Sequence, residues 1–153
     1  MAEQMRTPVF TSSVIYQDDR AALRWLENAF GFETSMVVTD DKDEIVHAEM
    51  RFGNGAVMIA HQWSAQTKSP KSAGGANTQQ IHVELDDDID GHCERARKAG
   101  ATIIQEPSDQ FYGSRTYRCL DPEGHVWTFG QSIKTLSTQE MEKASGLKVR
   151  DRL

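Results

Sequence analysis

His82 and Glu84 stand in the run Gln80-Ile81-His82-Val83-Glu84-Leu85, where polar and apolar residues alternate. Alternation puts successive side chains on opposite faces of a strand, so the imidazole, the carboxylate and the Gln80 amide share one face. Imidazole titrates near neutral pH and a neighbouring carboxylate can orient it, so the pair suits acid/base chemistry. With His61 as a third donor, the same residues could hold one divalent ion. The plain alternative is a strand pair bonded to each other and to solvent. Arg118 adds a planar donor fork that matches a carboxylate or phosphate. Trp63, and Phe111 with Tyr112 in a glycine-containing loop, could wall a flat ligand. His47 and His125, near a strand end and a turn, read as ordinary surface residues. Gly53-Asn54-Gly55 and Gly74-Gly75 lack the strand, Lys-Ser/Thr and helix context of a phosphate loop, and Ser12-Ser13 lacks the glycines of a nucleophile elbow.

The elements that must position these residues come twice. Asp19 precedes Gly31 by twelve residues, Asp88 precedes Gly100 by twelve, and the pairs lie 69 apart (88 minus 19). The same offset superimposes Val14 on Val83, Gly55 on Gly124 and Val57 on Val126 without a gap. Each copy reads as strand, helix and three strands. Val9 to Tyr16 suits a pleated surface, Asp18-Asp19 can cap a helix, and Leu23, Leu26 and Phe30 mark one helical face that ends at Gly31. The second copy starts at Gln80 and carries a weaker helix with Ile89, Cys93 and Ala96. Extended segments follow each helix: 33–38, 45–52 and 56–62, then 102–105, 115–120 and 125–130. Asn54-Gly55 and Asp121-Pro122-Glu123-Gly124 are the hairpin turns between the last two strands of each copy.

The chain of 153 residues is read as one α+β domain over 8–131: module one 8–63, a linker 64–78 and module two 79–131. The linker, rich in Ser, Lys, Gly and Pro, is expected to be mobile and able to cover a groove mouth. A tail, 132–153, carries the capping-box pattern Ser137-Thr138-Gln139-Glu140 and a short amphipathic helix. The formal charge of −6 argues against nucleic acid and anionic membranes as partners, and no apolar run is long enough to span a bilayer. Without signal-peptide character at the amino end, a cytoplasmic protein is expected. Cys93 and Cys119 have no paired spacing and read as small apolar fillers.

Tandem βαβββ modules, helices that start after Asp-Asp, and the final Asp121-Pro122-Glu123-Gly124-His125-Val126-Trp127-Thr128-Phe129 hairpin resemble the vicinal oxygen chelate superfamily. That group holds glyoxalases, extradiol dioxygenases, fosfomycin-modifying enzymes and bleomycin resistance proteins. The segment from Tyr112 through Gly130 carries the most specific match, within a resemblance over 8–131. It implies a mixed sheet curved around a groove, commonly completed by dimerisation. In metal-dependent members, one residue on the first and one on the fourth strand of each module hold a divalent ion. Placed by the 69-residue offset, those positions fall on Thr11, Ile59, Gln80 and Thr128. A neutral amide, two hydroxyls and an isoleucine would not repay the dehydration of such an ion. Ser13 would join Thr11 on the groove face, His61 and Val57 would join Ile59, and His47, Glu49, Thr116 and Arg118 would point the same way. The expectation is a homodimer that binds a small, aromatic or polyfunctional molecule without a metal cofactor and without a catalytic residue. Its lining would be Thr11, Ser13, Ile59, His61, Trp63, Gln80, His82, Glu84, Tyr112, Arg118 and Thr128. The rival is a lyase, isomerase or dioxygenase that uses His61, His82 and Glu84 with or without one divalent metal.

Overall fold

The computed structural model describes residues 7–153. Its first module runs β1 (Ser12–Tyr16), α1 (Asp19–Phe30), β2 (Glu33–Thr39), β3 (Ile45–Phe52) and β4 (Gly55–His61). The second runs β5 (Ile81–Glu84), α2 (Ile89–Lys98), β6 (Thr102–Asp109), β7 (Ser114–Leu120) and β8 (Val126–Ser132). A C-terminal helix, α3 (Thr138–Ser145), follows. The caps are those the residue types favour. Asp18 accepts the Ala21 N–H, Asp88 that of Gly91 and Ser137 that of Glu140, which satisfies donors at each helix start. Gly31 ends α1 with φ +76, a left-handed conformation cheap only without a Cβ.

The strands form two four-stranded mixed sheets, ordered β1-β4-β3-β2 and β5-β8-β7-β6. In each, the first strand is parallel to the fourth and the other pairs are antiparallel. The architecture is the expected α+β pair of βαβββ modules with a short C-terminal helix. β1 begins later than expected, because Val9 and Phe10 are almost fully exposed and have nothing to pack on. β6 runs on to Asp109; it is an edge strand, where Pro107 forfeits no ladder bond from its solvent side.

One core unites the modules. Val14, Met50 and Ile59 of the first sheet and Tyr117, Trp127 and Phe129 of the second pack with Leu26 and Phe30 of α1 and with Cys93 and Ala96 of α2. Both cysteines are fully buried, and loss of water pushes the thiols up, to about 11 for Cys93 and about 12 for Cys119. His92 bridges the helices: Nδ1 meets the Tyr117 hydroxyl at 2.6 Å and Nε2 the Phe30 carbonyl at 2.9 Å.

The 121–125 turn proves to be a clasp between modules. The buried Asp121 carboxylate accepts from the Tyr16 hydroxyl (2.6 Å) and Trp127 Nε1 (3.0 Å), and from the backbone N–H groups of Glu123 and His125. Glu123 accepts the Gln17 and Asp18 N–H groups. His125, expected at the surface, contacts the Ile15 carbonyl at 2.6 Å and stacks edge-on against Tyr16. The linker also departs from expectation. Asn77 bonds Gly124 O and Val126 N, Lys71 N–H donates to Glu123 O, and Ser69 and Pro70 are buried. It is docked on module two, because the Asn77 amide and the Lys71 N–H meet backbone groups that the hairpin leaves free.

Candidate functional site

The helix-free face of the second sheet follows the alternation of β5. Ile81, Val83 and Leu85 turn to the core, which leaves Gln80, His82 and Glu84 on the opposite face as expected. His82 Nε2 lies 2.6 Å from Glu84 Oε1, with both side chains about half exposed. Gly130 makes room for them: a Cβ there would come within 2.9 Å of the His82 ring. On the neighbouring strands Arg118 donates from Nε to Thr128 Oγ1 at 3.0 Å, and Thr128 pairs across the ladder with His82. These four residues form a continuous polar strip.

The first sheet does not mirror it. Ile59 is buried beneath the helices, paired with Val14 and Ala48, which are also core residues. The residue on the helix-free face is Met58, beside Ser13 and Glu49. The cause is a difference in hairpin length. From core residue Ala48 to its partner Ile59 the chain advances 11 residues (59 minus 48), and from Tyr117 to Phe129 it advances 12 (129 minus 117). Phe52 and Gly55 close a two-residue loop of Gly53 and Asn54, whereas Leu120 and Val126 close a longer one. Beyond the turn the true offset is therefore 70, and a one-residue slip exchanges the two faces of a strand. His61 shares the misplacement: it lies in phase with Ile59, and its Nδ1 is 3.7 Å from Asp19 on α1.

Thr11 and Ser13 alternate with the core residues Val14 and Tyr16 and stay on the helix-free side. Glu49 pairs with His47 at 3.0 Å, while Arg118 sits on the other sheet. Thr116 is closed off from solvent by the Gln105 and Gln110 amides. Phe111 and Tyr112 stack edge-on at 5.1 Å in the β6–β7 loop, while Trp63 projects beyond β4, two-thirds exposed. Both groups lie apart from the walls of the two cavities beside the central strands.

Two cavities flank the central strands. One of about 180 Å³ lies between β1, the docked linker and the start of β8, with Ser13, Lys68, Asn77, Gln79 and His125 on its walls. The larger, about 780 Å³, opens between β5 and the β3–β4 hairpin and is lined by Arg51, Phe52, Val57, Ile81, His82 and Glu84. Arg51 is a lining residue of the larger cavity that the sequence did not single out, and Met58 is the helix-free residue of β4 in place of Ile59. Arg51 carried a usable signal, since it alternates with Met50 and Phe52 on a strand whose phase was already assigned.

The four positions that would carry a metal are, with the register corrected, Thr11, Met58, Gln80 and Thr128. Two hydroxyls, a thioether and an amide offer no anionic oxygen, thiolate or imidazole, so this donor set does not fit a divalent ion of the borderline or hard class. Nor do His61, His82 and Glu84 converge, because His61 faces α1. Among the described residues no three His, Cys, Asp or Glu side chains cluster at metal-binding distance.

Paired βαβββ modules with both main helices in one core and a polar strip on the opposite sheet face define a tandem-module α+β scaffold. The chain belongs to the Glyoxalase/Bleomycin resistance protein/Dioxygenase superfamily, whose sequence profile matches residues 9–129. It is 33% identical to TioX from Micromonospora sp. ML1, with a TM-score of 0.66 over 81% of this chain and 98% of that one. TnmS3, an antibiotic binding protein from Streptomyces sp. CB03234, shares the fold at a TM-score of 0.64 and 16% identity, over 85% and 99% of the two chains. The protein Rv0887c of Mycobacterium tuberculosis is 27% identical over 90% of this chain and 82% of its own length.

Proposed function

We propose that this protein binds a small aromatic or polyfunctional molecule on its helix-free face without a metal ion, a sequestration or resistance role and not a catalytic one. The observation that carries the reading is the donor set Thr11, Met58, Gln80 and Thr128, which occupies the family's ligand positions with groups that hold divalent ions poorly. The fold likeness to TnmS3, an antibiotic binding protein, fits it. Metal analysis of protein purified without a histidine tag tests it: less than about 0.1 equivalent of Zn, Mn, Ni or Fe is expected, and a stoichiometric metal lost in His82→Ala would overturn it. A panel of flat aromatic drugs should raise the melting temperature for at least one member, by mass action on the folded state.

A second reading rests on the 2.6 Å contact of His82 with Glu84: an enzyme in which Glu84 orients the imidazole as acid or base. Turnover abolished by both His82→Gln and Glu84→Gln would select it.

The protein acts as a cytoplasmic homodimer. The buried free thiols suit a reducing compartment, and among the described residues no helix is long and apolar enough to cross a membrane. Met36, Val37 and Val38, each more than two-fifths exposed on the edge strand β2, leave an apolar sheet edge that a second copy would cover. Light scattering should give twice the chain mass, and Met36→Lys with Val38→Lys should halve it; a monomeric wild type would remove this part of the reading.

A further inference from the structure

The cleft between β5 and the β3–β4 hairpin contains a guanidinium, Arg51, in no ion pair among the described residues. Arg51 lies on β3 opposite Ala56, and its phase, alternate to the core residue Met50, puts its side chain on the helix-free side. The cleft wraps the end of the hairpin, so Arg51 lines it together with Phe52 and Val57 of the other phase. Arg51 is partly buried, and its Nη1 is shut off from solvent with no hydrogen-bond partner among the described residues. No carboxylate of the described residues lies within 4.0 Å, whereas Arg20, Arg97 and Arg115 are all paired with acids. Arg118 donates to Thr128, and Arg95 to carbonyls of α1. A guanidinium cannot shed its proton, so a buried donor left unpaired has no route to relief except an outside acceptor.

We infer that this cleft takes a ligand with a flat apolar body and a carboxylate-like oxyanion, the anion on Arg51 and the body against Phe52, Val57 and Ile81. The inference rests on the binding-protein reading above and narrows its ligand class. Glu84, which is bonded to His82, and Asp86 line the same cleft and repel an anion placed at their end, so the ligand is held one way round. The equivalent of Arg51 in module two is Leu120 (120 minus 51 is 69), which confines this anchor to one module.

Two fluorescent probes of the same shape test the inference: 8-anilinonaphthalene-1-sulfonate, an aromatic oxyanion, and its neutral analogue N-phenyl-1-naphthylamine. Wild-type protein should bind one sulfonate per chain. Arg51→Gln should weaken it about tenfold, the loss of one charge-assisted contact, and leave the neutral probe within about twofold; Arg24→Gln, on the exposed face of α1, should change neither. If Arg51→Gln fails to fold, benzoate should displace the sulfonate from wild-type protein at concentrations where benzyl alcohol does not. Sulfonate affinity unchanged in folded Arg51→Gln, or equal displacement by benzoate and benzyl alcohol, overturns the anion anchor and leaves the binding reading standing. Failure of both probes to bind the wild type overturns the two together.

Discussion

Single side chains here divide between those that hold the modules together and those that face outward, and the two kinds respond differently to substitution. Asp121 collects two side-chain and two backbone donors in a buried setting, so Asp121→Ala orphans them all and should cost about 3 kcal/mol or more in urea unfolding. His92 acts through pH. Burial disfavours its imidazolium and lowers its pKa below the ordinary 6.5. Below pH 6.5 the unfolded chain therefore takes up a proton that the folded chain resists, so this contribution to stability is complete above pH 6.5 and is lost as pH falls through the window beneath it. The melting temperature should drop between pH 7 and 5.5 more steeply in wild type than in His92→Gln. Gly130→Ala should leave stability within about 1 kcal/mol, because the half-exposed His82 ring can move away. It should break the His82–Glu84 contact, visible as a changed imidazole pattern in nitrogen-detected NMR. Sequence alone exposed His82 and Glu84 because polar and apolar residues alternate cleanly along β5. It hid His92, whose partners come from Phe30 and Tyr117, far away in the chain.

At the scale of elements, the caps and turns were legible wherever one residue type has one physical use: Asp before a helix, Gly after it, and Asn-Gly between strands, where the loop itself falls one residue earlier, on Gly53 and Asn54. β4 was not legible in detail. Ala56, Val57, Met58, Ile59 and Ala60 are all apolar, so no alternation fixes their phase, and a register borrowed from the glycine spacing put the wrong residues outward. The linker was misjudged because composition reports what a segment cannot bury, while Asn77 and Lys71 hold it through backbone bonds that composition does not reveal. The tail depends on a similar close approach. Gly113 sits at φ +90, and a Cβ there would come 2.2 Å from the Lys134 carbonyl oxygen. Gly113→Ala should release the tail from the β6–β7 loop at a cost of about 1–3 kcal/mol, and limited trypsin digestion should then cut after Lys134 before the domain itself is attacked.

The whole molecule is one folding unit despite its internal repeat, since the aromatic core and the Asp121 clasp both cross from one module to the other. Phe30 contacts the rings of Trp127 and Phe129 at 5.5 and 4.7 Å. Phe30→Ala should accordingly cost about 3–5 kcal/mol and lower a single unfolding transition instead of splitting it in two, as fluorescence and circular dichroism followed together would reveal. The single extra residue in the second hairpin is absorbed in the turn, so Met58 takes the place of Thr128 and the two halves of the helix-free face match in outline while differing in side chain. With Met58 and Ala60 on one half and Thr128 and Gly130 on the other, the floor is greasy on the left and wet on the right, so the binding reading carries a preferred orientation with it.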